Sequence, residues 1–235
     1  MRGTLILMAL APVLLWQGRQ VRRSTLRLPE AAGSRHGCLG RGQPLRLLVL
    51  GDSAAAGVGV ANQDQALVGQ LIAQLSTDYQ VSWQLLAKSG LTSQQLLHTL
   101  DSLCGQQYDS VVLSIGVNDV IAGTSDTLWL AQLQSLRDRL NTEFKVQHII
   151  ISAIPPMQHF VALPWPLNDY LGRRARRLNR LTEQMADNCG DLTFLSVDLG
   201  ISSQMLAADG FHPSALAYSV WAEHLATQIL NFSPQ

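Results

Sequence analysis

Five short apolar runs alternate with stretches of helical periodicity from residue 45 onward, and this alternation constrains the fold more than any single motif does. The runs are Leu45–Leu50, Val81–Ala87, Ser110–Ile115, His148–Ser152 and Leu192–Val197. Each has strand length, and four to eight apolar residues in a row describe a strand buried on both faces. Between them, Gln65–Leu75, Thr92–Leu103, Asp126–Leu140 and Asn168–Asn188 place leucines at helical spacing. A last helix is predicted from Pro213 to about Leu230, because proline suits the first helical position. Strands alternating with helices predict an α/β fold: a five-stranded parallel sheet covered on both faces, a three-layer α/β/α sandwich. In such sheets function gathers where strands end and loops lead into helices.

The residues that fall at those strand ends carry chemistry. Gly51-Asp52-Ser53 closes the first strand, Gly90 follows the second, and Gly116-Val117-Asn118-Asp119 follows the third. Asp209-Gly210-Phe211-His212 precedes the last helix. A serine hydroxyl is a weak nucleophile until a base takes its proton, and His212 is the candidate base. Asp209, three residues earlier, is the candidate to orient the imidazole and stabilise its charged form. The backbone N–H groups of Ser53 and Gly90 and the side-chain amide of Asn118 are candidate oxyanion donors. A position at a strand-to-helix turn would also give Ser53 the positive potential of a helix N-terminus. Asp52 and Asp119 are read as braces for these turns, and Gly57 as the point where the next helix packs closely. Each feature has a plainer role: an N-cap serine, a turn glycine, an Asx-turn asparagine or a satisfied core histidine. The other histidines, His36, His98, His148, His159 and His224, have no matching partner pattern and are read as surface or core residues.

The four blocks, in this order, resemble the SGNH (GDSL-type) hydrolase superfamily, in its bacterial esterase and lysophospholipase-thioesterase-like branch. The resemblance rests on Gly51-Asp52-Ser53-Ala54-Ala55-Ala56-Gly57, Ser89-Gly90-Leu91-Thr92, Gly116-Val117-Asn118-Asp119 and Asp209-Gly210-Phe211-His212-Pro213. It covers residues 45 to about 231. It implies a flavodoxin-like sandwich, no metal or cofactor, ester or thioester hydrolysis, and Ser53, Gly90, Asn118 and His212 in the family's signature roles. One departure is Ala54, where many members carry leucine or isoleucine. The expected activity is therefore a serine esterase acting on carboxylic esters, lipid esters or thioesters among them. A carbohydrate O-acetyl esterase or acyltransferase is the alternative, and a catalytically silent lipid-binding module is a third reading.

Composition narrows the partners. The chain has no net charge and only 14% charged residues, which argues against a general nucleic-acid binder and against extensive disorder. The balance is uneven: residues 1–46 hold eight arginines and a single acid, Glu30, for a net +7, leaving −7 on the remainder. Residues 1–16 include the apolar run Leu5–Trp16, which as a helix would reach about 18 Å against roughly 30 Å of bilayer hydrocarbon. It is read as an uncleaved, signal-like membrane anchor with residues 45–235, the hydrolase domain, on the cytoplasmic side; export is the alternative. Residues 17–44, rich in glycine and proline, are expected to be a basic linker. The loop Ile154–Tyr170, with Met157, Phe160, Val161, Leu163 and Trp165 among four prolines, is expected near the active-site edge, lining an acyl pocket or meeting a membrane. Arg173, Arg174, Arg176, Arg177 and Arg180 would face an anionic headgroup or form local ion pairs. Cys38, Cys104 and Cys189 form no disulfide or zinc pattern and are expected to be buried thiols.

Overall fold

The protein is described by a computed structural model over residues 2–103, 105–198 and 203–232, with side chains from residue 10 onward except that of Ser203. Six strands form one sheet: β1 (His36–Leu39), β2 (Gln43–Gly51), β3 (Tyr79–Ala87), β4 (Ser110–Ser114), β5 (His148–Ser152) and β6 (Leu192–Leu195). Their order is β1-β3-β2-β4-β5-β6. All pairings are parallel except that of β1, which runs antiparallel to β3 at the edge. The five expected strands are present, and β1 is the addition. The parallel strands, taken in chain order, are arranged second-first-third-fourth-fifth, the flavodoxin-like order.

Among the described residues, seven α-helices accompany the sheet: α1 (Arg2–Ser24), α2 (Leu67–Leu75), α3 (Ser93–Thr99), α4 (Val117–Ala122), α5 (Asp126–Glu143), α6 (Leu167–Ala186) and α7 (Ala215–Asn231). The two-residue period of a strand divides the core. Along β2, Leu45, Leu47 and Val49 face α2 and α7, while Leu48 and Leu50 face the opposite layer with α3, α5 and α6. β4 and β5 repeat the pattern, with Val112 and Ile150 on the first side and Val111, Leu113, Ile149 and Ile151 on the second. Two buried indoles join elements: Trp129 Nε1 donates to Thr182 Oγ1 (3.0 Å), linking α5 to α6, and Trp221 Nε1 to Ser152 Oγ (3.0 Å), linking α7 to the sheet.

Several expectations change in detail. The helix expected over Thr92–Leu103 is α-helical only to Thr99 and finishes as a 3-10 turn, Leu100–Leu103. The last helix starts at Ala215, because Ser214, rather than Pro213, caps it by accepting from the Ala217 N–H. Residues 17–44 are not a linker throughout: α1 continues to Ser24, Ala32 bridges Asn62, and β1 begins at His36. Glycine and proline there break the segment into short ordered pieces rather than freeing it. Gln17 shows how α1 is held: its Nε2 donates to Trp165 O (2.7 Å) and its Oε1 accepts the Leu167 N–H (3.2 Å). Leu14 and Val21 pack on the core from the same helix face. Among the described residues, no helix is long and apolar enough to cross a membrane.

Cys38 is exposed rather than buried, because it lies on the edge strand, and Cys189 is half-buried; both are free thiols. Cys104 lies outside the described residues. His148 is a core histidine. Burial pushes its pKa down to about 4, and its ring stacks on Phe232 at 4.0 Å.

Leu50 is fully buried in the central strand. Leu50→Ala is expected to lower the unfolding free energy by about 3 kcal/mol, read as a lower urea midpoint with an unchanged slope.

Candidate active site

The site begins where β2 stops. A Cβ on Gly51 would come 2.1 Å from Ser114 O, so only glycine lets β2 lie this close to β4 at its last register position. The Asp52 N–H then donates to Ser114 O (3.0 Å), turning the Asp52 side chain inward and leaving Ser53 half-buried. Residues 53–59 wind as consecutive turns, with Ala56 N–H bonded to Asp52 O and Val58 N–H to Ser53 O, both at 3.0 Å. Helix α2 does not begin until Leu67, so Ser53 does not sit at a helix N-terminus, and that expected source of positive potential is absent. Gly57 (φ +83°) is the close-packing point: a Cβ there would lie 2.7 Å from the methyls of Ala31 and Ala66. The Tyr218 hydroxyl, buried on α7, reaches Ala54 O (3.0 Å) and Val58 O (2.7 Å), and so fixes this turn against the last helix.

The segment carrying Asp209 and His212 approaches from the other side. A Cβ on Gly59 would meet Pro213 O at 2.3 Å, so the two loops touch backbone to backbone. Ser53 Oγ lies 2.9 Å from His212 Nε2, and His212 Nδ1 lies 2.6 Å from Asp209 Oδ2. Asp209 Oδ1 also accepts the N–H groups of Phe211 and His212, each at 3.0 Å. Burial pushes the Asp209 carboxyl up. The hydrogen bonds from the His212 ring and the two N–H groups, together with the charge of the ring, outweigh that effect and hold it below its ordinary value. An ionised Asp209 can only accept, so the imidazole proton sits on Nδ1 and Nε2 is left free to accept from Ser53.

Gly90 and Asn118 lie on the neighbouring loops. Gly90 is exposed and has φ +87°, a conformation that side chains rarely adopt. Asn118 Nδ2 donates to Leu91 O (2.9 Å), one residue beyond Gly90, and more loosely to Asp52 Oδ2 (3.3 Å), one residue before Ser53. It thereby joins the Gly90 loop to the Ser53 turn. Asp119 is fully buried; it accepts the Ser93 N–H (3.0 Å) and lies 2.6 Å from the Ser93 hydroxyl, fastening the start of α3 to α4. The bracing roles expected for Asp52 and Asp119 match these contacts. Tyr218, Ser93 and Glu30 join them as supports that the motifs did not mark. Glu30 carried one signal, as the single acid among eight arginines. Its Oε1 accepts the Ser89 N–H at 2.7 Å.

Residues 49–220 match the model of the GDSL-like lipase/acylhydrolase family. The chain belongs to this family. Among curated relatives, a GDSL-like esterase of Mycobacterium tuberculosis is 28% identical over 195 residues, 77% of this chain and 60% of that protein. The chain thus spans less than two thirds of that relative's length. The solved structure of TesA is 25% identical, with a TM-score of 0.61, covering 78% of this chain and 97% of that one. The esterase EstA from Pseudoalteromonas sp., at 20% identity and a TM-score of 0.61 over 79% of this chain and 96% of its own, shares the fold. The family match begins at the end of β2, so α1, Glu30 and β1 lie outside it.

In this GDSL-family frame the carboxylate beside Ser53, that of Asp52, differs from that of Asp209. Burial, with the nearby Asp119 charge adding to it, pushes the Asp52 carboxyl up to about 7, against the opposing effect of the Ala54 N–H and its own N–H. A raised carboxyl pKa means that the folded state holds the proton more tightly than the unfolded chain. Stability from this group is therefore fully present below its ordinary pKa and is lost as pH rises to about 7. The difference in Tm between Asp52→Asn and the parent is expected to shift in favour of the variant between about pH 4 and 7. Thermal melts at several pH values would check it; a difference constant with pH would contradict it.

Proposed function

We propose that this protein is a serine esterase that hydrolyses carboxylic esters through an acyl-enzyme on Ser53. The observation that carries the reading is the unbroken chain from Ser53 Oγ through His212 to Asp209, at 2.9 and 2.6 Å. Ser53 Oγ attacks the acyl carbonyl and gives its proton to His212 Nε2. Asp209, kept ionised by its three donors, stabilises the imidazolium. The Ser53 and Gly90 N–H groups and the Asn118 amide hold the developing oxyanion. The longer Asn118 contact, that to Asp52, is the one exchanged for the oxyanion, while the bond to Leu91 O keeps the amide in place. His212 returns the proton to the leaving alcohol or thiol, and water repeats the sequence to release the acid.

The surroundings favour an apolar acyl group. The Phe160 and Phe211 rings lie 4.6 Å apart, and Phe211 meets the His212 ring edge-on at 5.2 Å, which places an aromatic wall beside the imidazole. Short-to-medium acyl esters, lysophospholipids and acyl thioesters fit this wall. Ser53→Ala is expected to lower kcat by at least about a thousandfold. In an acyl-length series of p-nitrophenyl esters, kcat/KM should rise beyond acetate. A maximum at acetate would move the reading to the O-acetyl esterase, and an active Ser53→Ala protein would remove it.

We also propose that the enzyme works at an anionic membrane surface, with its catalytic domain on the cytoplasmic side. The outward face of α1 supports this, with Leu15 63% and Trp16 65% exposed next to exposed Arg19, Arg22 and Arg23. Trp165, 76% exposed, adjoins that helix through the Gln17 amide. The arginines of α6 contribute less: Arg173 pairs with Asp169 (2.8 Å), Arg177 with Asp126, and Arg174 donates to Thr124 O. Leu15→Ser with Trp16→Ser is expected to weaken binding to phosphatidylglycerol vesicles about tenfold or more and to leave hydrolysis of a soluble short ester unchanged. Co-sedimentation at low and high salt would check it. Equal binding by parent and variant would place α1 off the membrane.

A further inference from the structure

The segment before β1 lies against both loops that the esterase reading uses. On one side, the Ala31 N–H donates to Ala56 O (3.3 Å) in the Ser53 turn, and Gln63 Nε2 bonds both Ala31 O and Ala56 O at 3.1 Å. The Ala32 N–H donates to Ala61 O (2.9 Å), and the Gln63 N–H returns to Ala32 O (2.8 Å). On the other side, Glu30 Oε1 accepts the Ser89 N–H at 2.7 Å. The other oxygen of Glu30 pairs with Arg35 Nη2 at 2.5 Å. Arg35 Nη1 in turn donates to Ala87 O (2.6 Å), and Arg35 O accepts the Leu85 N–H (2.7 Å). Residues 30–35 therefore run as a strap from the Ser53 turn to the stretch of chain that ends β3 and leads to Gly90.

We propose that Glu30, held by Arg35, is a positioning residue for the oxyanion hole: it fixes the Ser89 peptide and so aims the Gly90 N–H at the acyl oxygen. The inference rests on the esterase reading of Ser53 and Gly90. The geometry explains why such a support is needed. Gly90 is exposed, adopts φ +87°, and has no atom within 4 Å of where a Cβ would stand, so its own packing does little to hold the peptide. Glycine relieves the strain of that conformation but adds freedom. The preceding donor, the Ser89 N–H, is the natural handle, and a carboxylate accepts from it through a charge-assisted hydrogen bond, stronger than one to a neutral acceptor. Arg35 prevents the carboxylate from swinging to water, and its bond to Ala87 O fixes the strap to the sheet itself. Both residues precede the family match, so this chain adds the brace from outside the shared domain.

The test is steady-state hydrolysis of a p-nitrophenyl ester by the full chain, with Tm and the rate of Ser53 labelling by a fluorophosphonate measured on the same samples. Glu30→Ala is expected to lower kcat about ten- to a hundredfold with KM within about twofold. The labelling rate should fall by a similar factor, since phosphonylation builds the same oxyanion. Glu30→Gln keeps an acceptor for Ser89 while losing the pair to Arg35, and it should recover most of kcat. Arg35→Ala should lie between the two. If Glu30→Ala lowers Tm but folded protein keeps its kcat and labelling rate, the strap is structural only and the proposal fails. If Glu30→Gln is as impaired as Glu30→Ala, acceptance from Ser89 is not the means and the proposal also fails. A parent protein that neither hydrolyses ester nor labels at Ser53 would instead overturn the esterase reading.

Discussion

The pairing of β2 between β3 and β4 is the constraint on which the rest depends. Residue by residue, Gly51 stands beside Ala87 on one neighbour and Ser114 on the other, so three strands end at one level. Parallel strands that end together deliver their following loops to the same edge. The Ser53 turn, the Gly90 loop and the Asn118 loop are therefore neighbours before any side chain is chosen. The chain direction also reverses its order here, since β3 lies to one side of β2 and β4 to the other, and at such a point the diverging loops leave a crevice. Gly51 makes the arrangement achievable. With any side chain at that position, β2 and β4 would have to part, and Asp52 would lose Ser114 O as its turning point.

Much of this was legible in the sequence because it is written in local pattern. Continuous apolar runs marked the parallel strands, and the motifs fell at their ends. The edge strand β1 was not legible: His36-Gly37-Cys38-Leu39 has neither alternation nor an apolar run, and its place is set by pairing with β3 through a glycine that accommodates the Trp83 ring. A Cβ on Gly37 would lie 2.4 Å from that indole. The extent of α1 was hidden for a similar reason. Arginines after Trp16 resemble a linker by composition, yet Leu14 and Val21, seven residues apart, pack on the core, with buried Gln17 on the same side. Tyr218 gave no signal at all, because a tyrosine on an amphipathic helix looks like any core aromatic until its hydroxyl is seen against two carbonyls of the Ser53 turn.

The buried carboxylates around the site divide by how many donors each receives. Asp209 accepts from the imidazole and two backbone N–H groups, and it is held below its ordinary pKa despite burial. Asp52 accepts from one N–H at 3.2 Å and from the Asn118 amide at 3.3 Å, faces the Asp119 charge, and is pushed up to about 7. The contrast follows from their positions rather than their chemistry. Asp209 occupies a turn whose Gly210, at φ +65°, folds the next two N–H groups back onto the carboxylate. Asp52 follows a strand whose N–H groups are already used in the sheet. The turn thus favours a negative partner for His212, whereas burial favours the protonated form of Asp52.

The division between shared and private structure has a consequence for specificity. Ser53, Gly90, Asn118, Asp209 and His212 all lie within residues 49–220, the part matched by the family, and the first three follow strands of the sheet. Two supports of these residues come from outside that range. Segment 30–35 crosses between two active-site loops, and α1 holds the Trp165 loop through a single buried amide. That loop returns to the site, because the Ala162 N–H donates to Gly210 O (3.4 Å) between Asp209 and His212. A displacement of α1 therefore has a covalent and hydrogen-bonded route to the triad that does not pass through the sheet. This route runs outside the packed strands, so the contacts that tie the N-terminal segment to the site are separate from the strand order that places Ser53.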